Sequence, residues 1–347
     1  MYRNIVKELI TWKDSLFRKP LILSGARQVG KTYILKQFGK TYYKNVAYIN
    51  CDNNTIVKDL FIENYDTERI ILTISAITKE VILPKKNLII LDEIQELQRG
   101  LSSLKYFCEN APEYYICVAG SLLGIAMRHG ESFPIGKVDL IKMYPMSFDE
   151  FLRAKGNDKM ADILLLKDWN ILQGFHSTLI QLLREYYFVG GMPSAVAAFI
   201  SAHDAIPLKI YEDFAAFKLY LLDVGLLGAL TNTPSAMLLL PNNMEEGKGM
   251  FTENYVCTQL AASIDQSLFY YSRETSSLEI DFIIQQDIQV VPIEVKAKEN
   301  LQSQSLKTIL QNKEAMRAVR FSMSAYREQE RITNVPLYGA GLFFARN

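Results

Sequence analysis

A chain of 347 residues is long enough for two or three domains, each burying its own core. Apolar side chains make up 49% and charged ones 22%, the balance of a soluble globular protein, and 38 basic residues are matched by 38 acidic ones. That neutrality excludes coating of nucleic acid by bulk charge, so any such contact requires a local basic patch.

From the start, residues 1–10 interleave charged and apolar residues at helical spacing and lack the continuous apolar core of a signal peptide; Ile5, Leu9 and Trp12 form the inward face of a helix. Leu21, Ile22 and Leu23 then read as a buried strand. It runs into Gly25, Ala26, Arg27, Gln28, Val29, Gly30, Lys31 and Thr32, which fit G-x-x-x-x-G-K-[ST] without a mismatch. A strand, a glycine-bracketed loop and a helix opening at Lys31 make a cradle of inward N–H groups for phosphate. Lys31 is expected to reach the β- and γ-phosphates of ATP, and the Thr32 hydroxyl to take a position on Mg²⁺. Arg27 is read as touching either phosphate or a neighbouring acid.

Residues 45–50 predict a second strand, and a mixed helical region follows to about Leu83. The run from Asn87 to Gln95 is apolar until it ends in Asp92 and Glu93, as a buried parallel strand does. Two acids at the C-terminal end of such a strand lie at the sheet edge that carries the phosphate loop. Asp92 is then expected to hold Mg²⁺ through water, and Glu93 to orient and deprotonate the attacking water. The alternative is a strand ending in a solvated acidic turn. A further strand ends at Ser121, read either as a sensor of γ-phosphate or water or as a helix cap, and residues 138–143 supply a fifth strand. Five strands with intervening helices predict an open α/β sheet. The extra catalytic glutamate and the absence of Asn-Lys-x-Asp favour ATP over GTP. Arg128 is either an arginine finger acting on a neighbouring subunit or a solvated loop residue, and neither His129 nor His176 has a partner at ligand spacing.

Ser147 and Glu150 form a capping box, and helical periodicity runs from there, broken near Gly156, to about Phe188, with Gly190-Gly-Met-Pro193 closing it. The span reads as a lid over nucleotide or as a plain helical spacer. Residues 210–230 read as a strand or short helix leading into a buried helix; the apolar run within it, Leu219 to Leu230, is interrupted by Asp223 and too short to span a bilayer, and Asp223 reads as a capped, hydrogen-bonded acid.

Residues 248–263 predict a helix with Phe251, Val256 and Leu260 on one side; Glu253 on it joins the catalytic candidates. Three strands follow, at 268–272, 279–284 and 290–296, the last two a hairpin, then a helix near 301–313 and a strand at 318–323. Alternation puts Glu294 and Lys296 on one face, with Asp281 across the hairpin. Two acids and a lysine on an apolar hairpin fit a site in which Asp281 and Glu294 bind Mg²⁺ and Lys296 positions the water that attacks a phosphodiester; an ion-paired, solvent-facing hairpin would look similar. Pro292 implies a bulge or a strand edge. Cys51, Cys108, Cys117 and Cys257 lack metal-ligand spacing and read as reduced thiols of a cytoplasmic protein.

Through residues 18–32, 91–95, 120–124, 144–148, 190–193, 219–227 and 293–296, the chain resembles a family of uncharacterised bacterial and archaeal AAA-type ATP-binding proteins. The resemblance implies a P-loop ATPase of open parallel sheet at 1–146, a helical lid at 147–209 and a restriction-endonuclease-like PD-(D/E)xK domain at 210–347. It also implies binding and hydrolysis of ATP with Mg²⁺, with DNA as a candidate partner of the C-terminal part; oligomeric state is left open, and no stretch reads as spanning a membrane. A module of that kind either cleaves DNA under nucleotide control or only binds nucleic acid or protein. The chain departs from the family in one respect. Between the Gly-Gly-Met-Pro element and the Leu219–Leu227 element the family carries a long winged-helix-like stretch; here only residues 194–218 intervene.

Overall fold

A computed structural model describes residues 1–52, 57, 60–61, 64–121, 133–201, 220–231, 233, 248–272, 278–286, 289–298, 304–311 and 316–345. The chain forms two compact units, Arg3–Tyr144 and Met1–Tyr2 with Pro145–Asn347.

The first unit is an open, wholly parallel sheet. Its strands are β1 (Leu21–Gly25), β2 (Asn45–Asn50), β3 (Asn87–Asp92), β4 (Tyr115–Ser121) and β5 (Asp139–Met143), in the order β2-β3-β4-β1-β5. Helices α1 (Ile5–Asp14), α2 (Lys31–Tyr42), α3 (Thr67–Thr78) and α4 (Gly100–Asn110) accompany it. Every residue of β1 and β3 is buried, which is why both read as unbroken apolar runs. Helix α2 buries Ile34, Leu35 and Phe38 on one face, and α1 buries Ile5, Leu9 and Trp12. Fully burying an aliphatic side chain such as these stabilises by about 1.5–3 kcal/mol. In parallel register Gly25 lies opposite both Ser121 and Met143, and Asn50 opposite Asp92, so the five strand ends form one edge.

The second unit is a mixed sheet with helices. Strands β6 (Phe269–Ser272), β7 (Glu279–Gln286) and β8 (Gln289–Lys296) run antiparallel in succession; β9 (Ala318–Ser322) returns parallel to β8 after a helix at Gln304–Gln311. Strands β10 (Arg327–Gln329) and β11 (Ile332–Pro336) complete the order β10-β11-β9-β8-β7-β6. The helix Lys248–Ser263 buries Phe251, Val256 and Leu260 in one hydrophobic cluster with Phe282, Ile293 and Phe321 of the sheet. That cluster also takes in Phe148, Phe151, Leu179, Leu183 and Tyr186, from helices Phe148–Ala154 and His176–Val189, so these helices and the sheet share a core. A smaller cluster of Ile280, Leu306, Leu310 and Ala318 seats the helix Gln304–Gln311.

The capping box is present: the Glu150 carboxylate accepts from the Ser147 N–H at 3.0 Å. Helix His176–Val189 ends at Gly190. Pro292 behaves differently from a bulge or a true edge. It pairs in register with Ile283 in a central strand, one residue before the pairing with β9 begins at Ile293, so β8 has a free side just where the N–H is missing. Among the described residues no helix is long and apolar enough to cross a membrane.

Candidate functional site

The loop between β1 and α2 has the geometry that its glycines require. Gly30 has φ 98°, a left-handed conformation that a side chain rarely adopts, and it is the residue from which α2 starts. A Cβ on Gly25 would stand 2.4 Å from the Met143 carbonyl oxygen, so only glycine lets β1 end against β5. Behind the loop, buried Arg3 donates from Nη1 to the Val29 carbonyl at 2.9 Å and from Nη2 to the Tyr144 carbonyl at 2.7 Å. Arg3 therefore braces the loop from the back, a role its place near the chain start does not announce.

Lys31 is buried, and its ammonium donates to the carbonyls of Gly25 (3.0 Å) and Ala26 (2.7 Å). Desolvation lowers its pKa, while the nearby carboxylates of Glu93 and Asp92 act the other way.

Asp92 is the hub. Its Oδ2 accepts from the Thr32 hydroxyl at 2.6 Å and from the Tyr48 hydroxyl at 3.1 Å. A threonine hydroxyl and a buried carboxylate in contact are hard oxygen donors of the type Mg²⁺ takes, so these residues fit the ion. Burial and Asp92 push the Tyr48 phenol up to about 12. Burial, then Asp92 and Glu93, push the neighbouring Cys51 thiol up to about 12. Glu93 follows in a left-handed conformation, φ 52°, and its carboxylate is held by the Gln95 amide. Tyr48 and Gln95 carry no local signal in the sequence, because an aromatic in a strand and a glutamine in a polar turn look structural.

Ser121 closes β4, which lies between β1 and β3, and its backbone stands opposite Gly25; its side chain is outside the described residues. Arg27 and Gln28 are exposed to intermediate degree or more at the loop surface. Arg128, His129 and the stretch 202–219 lie outside the described residues, and His176 Nδ1 sits 3.2 Å from the Tyr338 hydroxyl.

In the second unit the hairpin acids have protein partners. Asp281 accepts from the Val295 N–H at 2.7 Å. Buried Glu294 meets Lys296 Nζ at 3.2 Å through Oε1 and Arg320 Nε at 3.4 Å through Oε2. Arg320, on β9, is the largest fully buried side chain among the described residues and stands in register with Glu294. Glu253, on the helix Lys248–Ser263, accepts from the Tyr220 hydroxyl at 3.5 Å. Among the described residues no group of three or more His, Cys, Asp or Glu is placed to hold a metal.

Residues 17–152 match a family model described as an AAA domain, and residues 248–338 match one described as a domain of unknown function (DUF4143). An uncharacterized protein of Haemophilus influenzae is 27% identical over 204 residues, 56% of this chain and 44% of the relative, so the match spans under half of the relative's length. Among solved structures, the Aeropyrum pernix ORC1 protein in complex with DNA aligns at 13% identity and TM-score 0.30, covering 44% of this chain and 48% of that one. CDC6P from Pyrobaculum aerophilum aligns at 15% identity and TM-score 0.29, covering 44% and 47%. Residues 17–152 are thus similar to an AAA domain, within a first unit of parallel α/β sheet followed by helices and a separate α/β part with a mixed sheet.

Proposed function

We propose that the chain binds ATP with Mg²⁺ and hydrolyses it. The observation that carries this reading is the 2.6 Å contact between Thr32 and Asp92, residues 60 apart in sequence and joined at the edge that holds the phosphate loop. Thr32, and Asp92 through water, would hold Mg²⁺, which would supply charge neutralisation on the β- and γ-phosphates. Lys31 binds and orients the same phosphates. Glu93 takes the proton of the attacking water, whose oxygen bonds to the γ-phosphorus as the bond to the ADP oxygen breaks. Ser121 is the sensor at the end of β4. In binding assays with a fluorescent ATP analogue and turnover assays, Lys31→Ala is expected to abolish binding, whereas Glu93→Gln keeps binding and loses turnover by about a hundredfold or more. Equal turnover in wild type and Glu93→Gln would sink the assignment of the base.

For the C-terminal part we propose a nuclease-like α-β-β-β-α-β module that engages DNA under nucleotide control. The contact of Arg320 and Lys296 with Glu294 favours the form that binds without cleaving, because two cations already neutralise the carboxylate a metal would need. Plasmid DNA with Mg²⁺ is expected to remain intact with wild type and with Asp281→Ala alike. Cleavage by wild type that Asp281→Ala removes would instead establish Asp281, Glu294 and Lys296 as a nuclease site.

A further inference from the structure

The turn after β3 concentrates unfavourable local features on one contact. Glu93 and Arg99 are both non-glycine residues with positive φ, 52° and 63°. Between them, Ile94–Glu96 is a single 3-10 turn closed by the Glu96 N–H to the Glu93 carbonyl at 2.9 Å. Gly100 ends the turn packed so tightly that a Cβ there would stand 3.0 Å from Ile94 Cδ1. A backbone this constrained persists where surrounding contacts over-determine it, and such sites cluster at functional centres.

Gln95 sits inside that turn with 7% of its surface exposed. Its amide N–H donates to Glu93 Oε2, while its amide oxygen is buried with no hydrogen-bond partner among the described residues. The amide's contact is thus spent on the carboxylate rather than on the backbone of the turn. Glu93 directly follows the last residue of β3, so the grip fixes where that carboxylate stands at the strand end.

We propose that Gln95 is a positioning residue for ATP hydrolysis: its amide holds the Glu93 carboxylate in the orientation from which it takes the proton of water. Gln95 acts through Glu93, and the proposal rests on the ATPase reading above. Gln95→Met keeps the volume without the amide, and Gln95→Asn keeps an amide one methylene too short. On the full chain, both are expected to lower kcat by about tenfold or more. The Kd for a non-hydrolysable ATP analogue stays within about twofold, and the melting midpoint of Gln95→Met does not fall. Wild-type kcat in Gln95→Met, with wild type turning over, overturns this inference alone. Parallel loss of analogue affinity and kcat overturns it by marking the turn as structural. Absence of turnover in wild type overturns the ATPase reading and this inference with it.

Discussion

Asp92 Oδ2 accepts two hydroxyl donors, Thr32 and Tyr48. In the proposed Mg²⁺ site the Thr32 oxygen would turn its lone pair to the ion, leaving Tyr48 as the donor that keeps the carboxylate in place. Tyr48→Phe removes that donor without changing the ring, over which the Lys36 ammonium sits at 3.4 Å. The expected result is an increase of about tenfold in the Mg²⁺ concentration that half-saturates nucleotide binding. A metal titration at fixed ATP analogue checks it, and an unchanged midpoint would show the hydroxyl to be idle. At this scale the sequence carries residue types and spacings but not partners. Lys31, Thr32, Asp92 and Glu93 are recognisable because each lies in a short string with its own spacing. Tyr48 and Arg3 contact the site from positions 44 and 26 residues away from the groups they hold, and no local string records those contacts.

Helix ends show how far local chemistry reaches. Asp223 caps the helix Val224–Leu230, accepting from the Leu226 N–H at 3.1 Å, and it also accepts from the Gly191 N–H of the preceding Gly-Gly-Met-Pro element. The sequence supports the cap; the second bond, across 32 residues, appears only in the fold. Asp223→Ala therefore removes a cap worth about 0.5–2 kcal/mol and strands a buried donor at about 1–3 kcal/mol, for an expected loss of about 2–4 kcal/mol in urea unfolding. Burial raises the Asp223 carboxyl above its ordinary value, opposed in part by these backbone bonds. The folded chain then holds the proton more tightly than the unfolded one, so this group's contribution to stability is largest below the unfolded value and declines as pH rises toward the raised one. The gap between wild type and Asp223→Ala is expected to narrow as pH increases through that window, which unfolding curves at successive pH values measure. A gap that widens would reverse the sign assigned to the group.

Across the whole molecule, two cores do the organising. One lies against the parallel sheet, with Ile22, Ile89, Leu91 and Val118 in it; the other joins the helices after Pro145 to the mixed sheet. The order of the strands followed from alternating apolar runs and helices only up to a point. Five strands were legible, but the insertion of β4 between β1 and β3 was not, because strand order depends on which faces can be covered together. The same holds for the Glu294–Arg320 pair. An acid-x-lysine step is visible in one strand, yet the cation that meets it from the other side arrives on β9, 26 residues later. That pairing is what turns the plasmid experiment from a search for cleavage into an expectation of binding alone.

What the amino-acid string determined by itself is the set of pieces whose chemistry is contiguous. These are a glycine-bracketed loop ending in Lys31 and Thr32, a buried strand ending in Asp92 and Glu93, a capped helix at Ser147, and an acidic hairpin with Lys296. Each follows from residues near enough in the chain to act through backbone geometry and burial pattern alone. Only the tertiary structure decided what each acid faces. Thr32 and Tyr48 meet Asp92, Arg320 meets Glu294, and Gly191 meets Asp223, because these contacts depend on strand order, register and packing, which are properties of the assembled fold. Gln95 lies between the two cases. It is two residues from Glu93 in sequence, yet its hold on that carboxylate exists because the turn after β3 takes a left-handed backbone that local propensity disfavours and the surrounding contacts impose.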